Sequence, residues 1–127
     1  MNKVICYPRC CTPKYYSDDD YYFEMFTVPE QKINNVGHVG VQLFKELRKS
    51  KIAPTVEALD FTIIAMAVVA ADKAVLRKKS ADGWTRKIEL CIYLHDAPKW
   101  RQEKRKLEEM LRFLSGDFWV LNINALP

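Results

Sequence analysis

The stretch LDFTIIAMAVVAADKAVL, Leu59 to Leu76, decides how the rest of this chain is read. From Phe61 to Ala71 it carries no charge, and Thr62 is its only polar side chain. No Gly or Pro interrupts it, and the pair Val68–Val69 lowers helix propensity only slightly. A buried strand usually stops by about eight residues, so the length predicts a helix. Pro54 and Thr55 signal its start, and Glu57 and Asp60 suit the positive end of the helix dipole. Lys73, Arg77, Lys78 and Lys79 suit the negative end. A helix apolar all round is either buried or membrane-spanning. Spanning takes roughly 20 apolar residues, and the uncharged run extends only about 17 Å. Burial at the centre of a folded core is the expectation, with no membrane partner.

At 127 residues the chain reads as one domain, 1–127. Its apolar share of 49% is ordinary for a folded protein. Twenty basic residues against 16 acidic ones leave a net charge of +4, too mild to indicate nucleic acid by itself. Met1-Asn2-Lys3 leads into an apolar stretch too brief for a signal peptide, so a cytoplasmic location is expected. The four cysteines then read as thiols rather than disulfides.

Working outward from the central helix, residues 2–8 and Tyr21–Val28 read as two strands of a hairpin, with an irregular loop and the acidic turn Ser17–Asp20 between them. Pro29–Gly37 reads as a loop, and Asn34 or Asn35 as a cap for a helix over Val39–Ser50. Beyond the turn Ser80–Gly83, Trp84–Leu94 alternates with period two: Ile88, Leu90, Ile92 and Leu94 share one face. Parity puts Trp84 and Arg86 on that apolar face. An unpaired buried charge is costly, so a salt bridge from Arg86 to Asp72 is expected. Asp96 caps a last helix running to about Leu114, with the stripe Trp100, Leu107, Met110, Leu111 and Leu114, and Gly116 ends it. Phe118–Ile123 closes the chain as a strand. The order β-β-α-α-β-α-β predicts an α+β fold: a small, mostly antiparallel sheet of about four strands packed with three helices.

Chemistry-bearing patterns are sparse. Cys6, Cys10, Cys11 and Cys91 lack the paired C-x2-C spacing of a structural zinc site. Cys91 and His95 would lie about 13 Å apart along one strand, too far for a nucleophile and its base. No glycine-rich phosphate loop is present. Arg77, Lys78, Lys79, Arg86 and Lys87, with Trp84 as a stacking platform, form a basic cluster able to touch a phosphate backbone. The competing reading is a helix end complemented by cations, and the modest net charge favours it. The basic run Lys99–Lys106 reads as a solvated face with i,i+4 pairs such as Glu108–Arg112. Exposed Tyr7, Tyr15, Tyr16, Tyr21 and Tyr22 suit either an interface or the sheet. No catalytic residue and no metal ligand is assigned. The candidate binding or ion-pair residues are Asp72, Arg77, Trp84 and Arg86.

From Leu59 to Leu121 an ordered motif set stands out: Ala70, Ala71 and Asp72, then Arg77, then Trp84, Thr85 and Arg86, then Gly116, Asp117 and Trp119. In this order it resembles the N-terminal region of QueC-like proteins of bacterial antiphage defence systems, relatives of 7-cyano-7-deazaguanine synthase. The resemblance covers about half of the chain and leaves residues 1–55 unmatched. It implies an accessory domain at the front of a longer protein, whose catalytic half is an ATP-pyrophosphatase domain with an S-G-G-x-D-S loop and a cysteine zinc site. Neither motif stands in these residues, so ATP and zinc are implied only for that other domain, and no cofactor is expected here. The resemblance implies a non-catalytic interaction domain that docks a partner protein or supports the ATP-dependent catalytic domain. The alternatives are a nucleic-acid-binding accessory domain and a small cysteine metal-binding protein.

Overall fold

The structure is a computed structural model and describes residues 1–27 and 36–127. Among them are strands β1 (Asn2–Tyr7), β2 (Tyr21–Met25), β3 (Val36–Val39), β4 (Lys87–Leu94) and β5 (Phe118–Ala125). The helices are α1 (Val41–Lys49), α2 (Val56–Ala74), α3 (Ala97–Gln102) and α4 (Lys104–Ser115). One sheet holds the strands in the order β3-β2-β1-β4-β5. Every neighbouring pair is parallel.

The mostly antiparallel sheet of about four strands is therefore corrected to five parallel strands with four helices. Parallel neighbours need a crossover of a dozen or more residues, whereas a hairpin closes in two to five. Residues 8–20 between β1 and β2 have crossover length, so the expected hairpin does not form. Strand β3 falls across the end of the expected loop and the start of the expected helix. Its Gly37 and His38 give it no strand signature, and pairing with β2, from Tyr22–Val36 to Met25–Val39, holds it. Asn34 and Asn35, read as helix caps, lie outside the described residues; α1 starts at Val41 with Gly40 as its N-cap.

Helix α2 forms where the apolar run predicts it, and the Thr55 side chain accepts from Ala58 N–H at its start. Asp60, Ile63, Ile64, Ala67, Ala70 and Ala71 are its buried residues, a stripe at helical spacing. This stripe packs on Ile88, Leu90, Ile92 and Leu94 of β4 and on Val4 and Cys6 of β1. Burial is one-sided, however: Phe61 and Val69 on the outer side are more than half exposed. Asp96 caps α3 through Lys99 N–H, but the expected single last helix breaks at Glu103 into α3 and α4. Of its expected stripe only Leu111 is buried, while Met110 and Leu114 are exposed. Glu108 pairs with Lys104 instead of Arg112, and Arg112 stacks over Phe118.

The opposite sheet face is covered over β1 and β2 by residues 8–20. Tyr16 reaches the Tyr7 hydroxyl at 3.1 Å and meets Tyr22 edge-on at 4.8 Å. Of the tyrosines that suit either an interface or the sheet, Tyr7 and Tyr22 are buried on the sheet, and Tyr15 is exposed. Strand β5 ends the sheet, and charged side chains blunt its edge. Glu108 accepts from Leu121 N–H at 2.7 Å, and Arg101 donates twice to the Ile123 carbonyl. Among the described residues no helix is long and apolar enough to cross a membrane.

Candidate functional site

The residues singled out from the sequence gather at the amino ends of β4 and β5. Asp117, wholly buried, lies between two guanidinium groups. Arg77 donates to both of its oxygens, at 2.9 and 3.0 Å. Arg86, only 2% exposed, donates through Nε at 3.2 Å, a terminal nitrogen at 2.7 Å and its backbone N–H at 2.9 Å. Arg86 also reaches Asp72 Oδ1 at 2.6 Å and the carbonyls of Asp72 and Val75. The expected Arg86–Asp72 pair is thus present, but the sequence reading missed its larger partner, Asp117. Burial works against ionising Asp117, yet the Arg86 and Arg77 hydrogen bonds outweigh it and hold its carboxyl below the usual range. Trp84, expected on the buried side, is 67% exposed and carries Arg77 over its ring at 5.1 Å.

This cluster ties the end of α2 to the starts of two strands. With Arg77 and Arg86 engaged by carboxylates and carbonyls, it reads as a structural lock rather than a phosphate-binding surface. Of the cysteines, Cys10 and Cys11 bring their sulfurs within 3.8 Å of each other. Cys6 faces the helical core, while Cys91 pairs with Ile5 on the other sheet face. Burial pushes the Cys6 thiol up to about 12 and the Cys91 thiol up to about 11. Among the described residues no cluster of three or more His, Cys, Asp or Glu is placed to hold a metal ion.

The other end of the sheet has a different character. Strand order reverses between β1 and β4, and in open parallel sheets ligands bind in the crevice beyond the carboxyl ends at such a switch point. A crevice of about 590 Å³ opens there, bounded by the ends of β1, β2 and β4, by α2, and by α1. Helix α1 has no buried residue; its apolar side chains Leu43, Phe44 and Leu47 line the crevice instead of the core. Phe26 also lines it, at φ 64, an uncommon conformation for an aromatic residue and one that costs of order 1–3 kcal/mol. Its ring lies against Gly40, where a Cβ would meet Phe26 Cε1 at 2.5 Å. Gly40 at φ 83 and Lys51 at φ 54 bracket α1.

Two polar side chains on the rim are oriented from behind by carboxylates. Asp60, with no exposure, accepts from the backbone N–H of His95 at 2.8 Å and of Asp96 at 2.9 Å. Its Oδ1 also lies 2.8 Å from His95 Nδ1. Burial opposes the Asp60 charge, but these backbone and imidazole bonds together hold its pKa below the ordinary value. With its Nδ1 side held against Asp60, His95 lines the crevice. On the other side, Arg9 Nε donates to Glu24 at 2.9 Å. Thr27 hydrogen-bonds the same Glu24 oxygen.

Sequence reading set His95 aside and took Asp60 for a dipole-compensating acid. The missed signal was parity: Asp60 stands three, four and seven residues before Ile63, Ile64 and Ala67, on the buried stripe of α2. An acid there requires donors, and these come from the end of β4. Comparison with protein-family models, with curated proteins and with solved structures finds no match for this chain.

Proposed function

We propose that this chain is a non-catalytic interaction domain that docks a protein partner, namely an ATP-dependent catalytic domain of the QueC-like, deazaguanine-handling antiphage type, in the cytoplasm. The observation that carries the docking role is the apolar ground between α2 and α4. Val69 and Leu114, both more than half exposed, flank a groove of about 360 Å³, and Phe113 beside Leu114 is 88% exposed. A second groove, about 660 Å³, follows the other side of α2 along Met66 and Val69 to β3. Exposed apolar side chains grouped beside a groove are a feature of interaction sites. The choice of partner rests on the ordered motif residues from Ala70 to Trp119. Several of them (Asp72, Arg77, Arg86 and Asp117) join in one lock, as expected of a motif set kept for its fold rather than for catalysis.

The test is co-expression of the chain with an ATP-pyrophosphatase domain of the QueC-like type. Co-purification of the two, lost in the double variant Val69→Asp/Leu114→Asp, is the expected result. Retention of the complex by that variant would remove the docking face, and no complex with the wild-type chain would remove the proposed partner.

A further inference from the structure

We infer that the adjacent thiols of Cys10 and Cys11 form a dithiol site for a thiol-seeking trivalent metalloid, namely an arsenical of the type R–As(OH)2 that carries one organic group. The site is independent of the α2–α4 docking face and stands without it.

The spacing of the two sulfurs carries this reading. They lie 3.8 Å apart. Both thiols are free; Cys10 is exposed and Cys11 partly so. They sit in the single turn Arg9–Cys11 that follows β1. Cys11 N–H donates to the Pro8 carbonyl at 2.9 Å and Thr12 N–H to the Arg9 carbonyl at 3.2 Å, which fixes the backbone on both sides of the pair.

Such a pair can close as a disulfide or hold one atom between its sulfurs. Neighbouring Cα atoms are about 3.8 Å apart, whereas a relaxed disulfide spans about 4.4–6.8 Å. A direct bond from Cys10 to Cys11 would therefore be strained and easily reduced. A bridging atom removes that strain, because the sulfurs need not touch. Two bonds of about 2.3 Å, the length found in zinc thiolates, hold the sulfurs about 3.3–3.8 Å apart for angles from a right angle to the tetrahedral one. Cys10 and Cys11 already have this spacing. Their donors are soft sulfur, and a structural zinc site takes four such ligands where this pair offers two. An arsenical with one bond to carbon needs only two.

Each thiol replaces one hydroxyl on arsenic. An As–S bond forms, an As–O bond breaks, and the thiol proton leaves with the oxygen as water. Two waters depart and arsenic stays trivalent, so the exchange needs no oxidant or reductant. Burial and the hydrogen bond with Cys10 raise the Cys11 pKa, so this thiol brings its proton to the exchange. After the first As–S bond has formed, the second thiol reacts from within the same turn, at high effective concentration.

The experiment adds phenylarsine oxide to the reduced full chain, counts adducts by native mass spectrometry, and titrates them with glutathione, a monothiol. One adduct is expected on the wild-type chain. Its half-displacement should take at least about a hundredfold more glutathione than that of Cys10→Ser or Cys11→Ser, each of which leaves one sulfur. Both variants should melt as the wild type does, since neither thiol belongs to the core. The inference is overturned if folded wild-type protein takes no adduct, or if its adduct is displaced as readily as those of the single variants. An adduct retained by Cys10→Ser/Cys11→Ser would place the site elsewhere and overturn it too. So would recovery of the pair as a disulfide from buffer containing reduced glutathione, displacement of the arsenical by an equal concentration of zinc, or arsenite held more tightly than phenylarsine oxide, which would require a third protein donor.

Discussion

Replacing Asp117 by Asn tests the lock at the amino ends of β4 and β5. The exchange keeps the volume and removes one negative charge from between two arginines. Arg77 retains exposure and can turn to water, but Arg86 is 2% exposed and its Nε and one terminal nitrogen both point at Asp117 Oδ2. Only Asp72 would remain to balance Arg86, and the Asp72 side chain is 59% exposed. Removing one partner of a buried pair costs about 3–5 kcal/mol, because the other charge is left uncompensated. With a urea m-value near 2 kcal/mol/M, that corresponds to a midpoint lower by about 2 M. Trp119 reports the transition: it is buried, and its Nε1 donates to Ser115 Oγ beside the lock. The internal control is Asp72→Asn, whose exposed pair with Arg86 is worth about 1 kcal/mol or less. The pH dependence adds a second readout. Asp117 has a folded pKa below its unfolded value, so its contribution is complete above the unfolded carboxylate pKa, about 3.9, and is lost as pH falls through the folded pKa. The gap between wild type and Asp117→Asn should therefore narrow in acid. A midpoint change no larger than that of Asp72→Asn, or a gap constant down to pH 2, would refute this account of the lock.

Three further outcomes follow from burial and bonding. Ile64 is buried where α2 meets β4, so Ile64→Asp should leave no cooperative thermal transition, whereas Phe61→Asp on the outer side, which loses its ring contact with Trp100, should cost about 1 kcal/mol and keep the transition cooperative. Glu108 satisfies the outward Leu121 N–H of the edge strand, so Glu108→Ala should cost about 1 kcal/mol and raise light scattering on storage. With burial lifting the Cys6 and Cys91 thiols to about 12 and about 11, a thiol reagent at pH 8 should modify exposed Cys10 in native protein and leave Cys6 and Cys91 protected until denaturant is added.

What was legible in the sequence is what neighbours along the chain decide among themselves. Thr55, Asp96 and Gly116 mark their helix ends because a cap acts within three or four residues. The alternation from Lys87 to Leu94 assigns β4 and its buried face, because side chains of a strand point to opposite sides. Even the Arg86–Asp72 pair was within reach, since one guanidinium on an apolar face demands a carboxylate nearby.

The tertiary structure alone decided the rest. Strand direction depends on how a whole crossover packs, and the period-two pattern of β4 is the same in a parallel or an antiparallel sheet. The short strand β3 exists only because β2 offers it a partner. Asp117 meets Arg77 and Arg86 across 40 and 31 residues, and Asp60 meets His95 across 35. The buried stripe of α2 shows that Asp60 needs donors, but nothing local to Asp60 or Asp117 says which distant residues supply them. The crevice follows from the same cause, for it exists only where β1 and β4 lie side by side and their chains turn away in opposite directions.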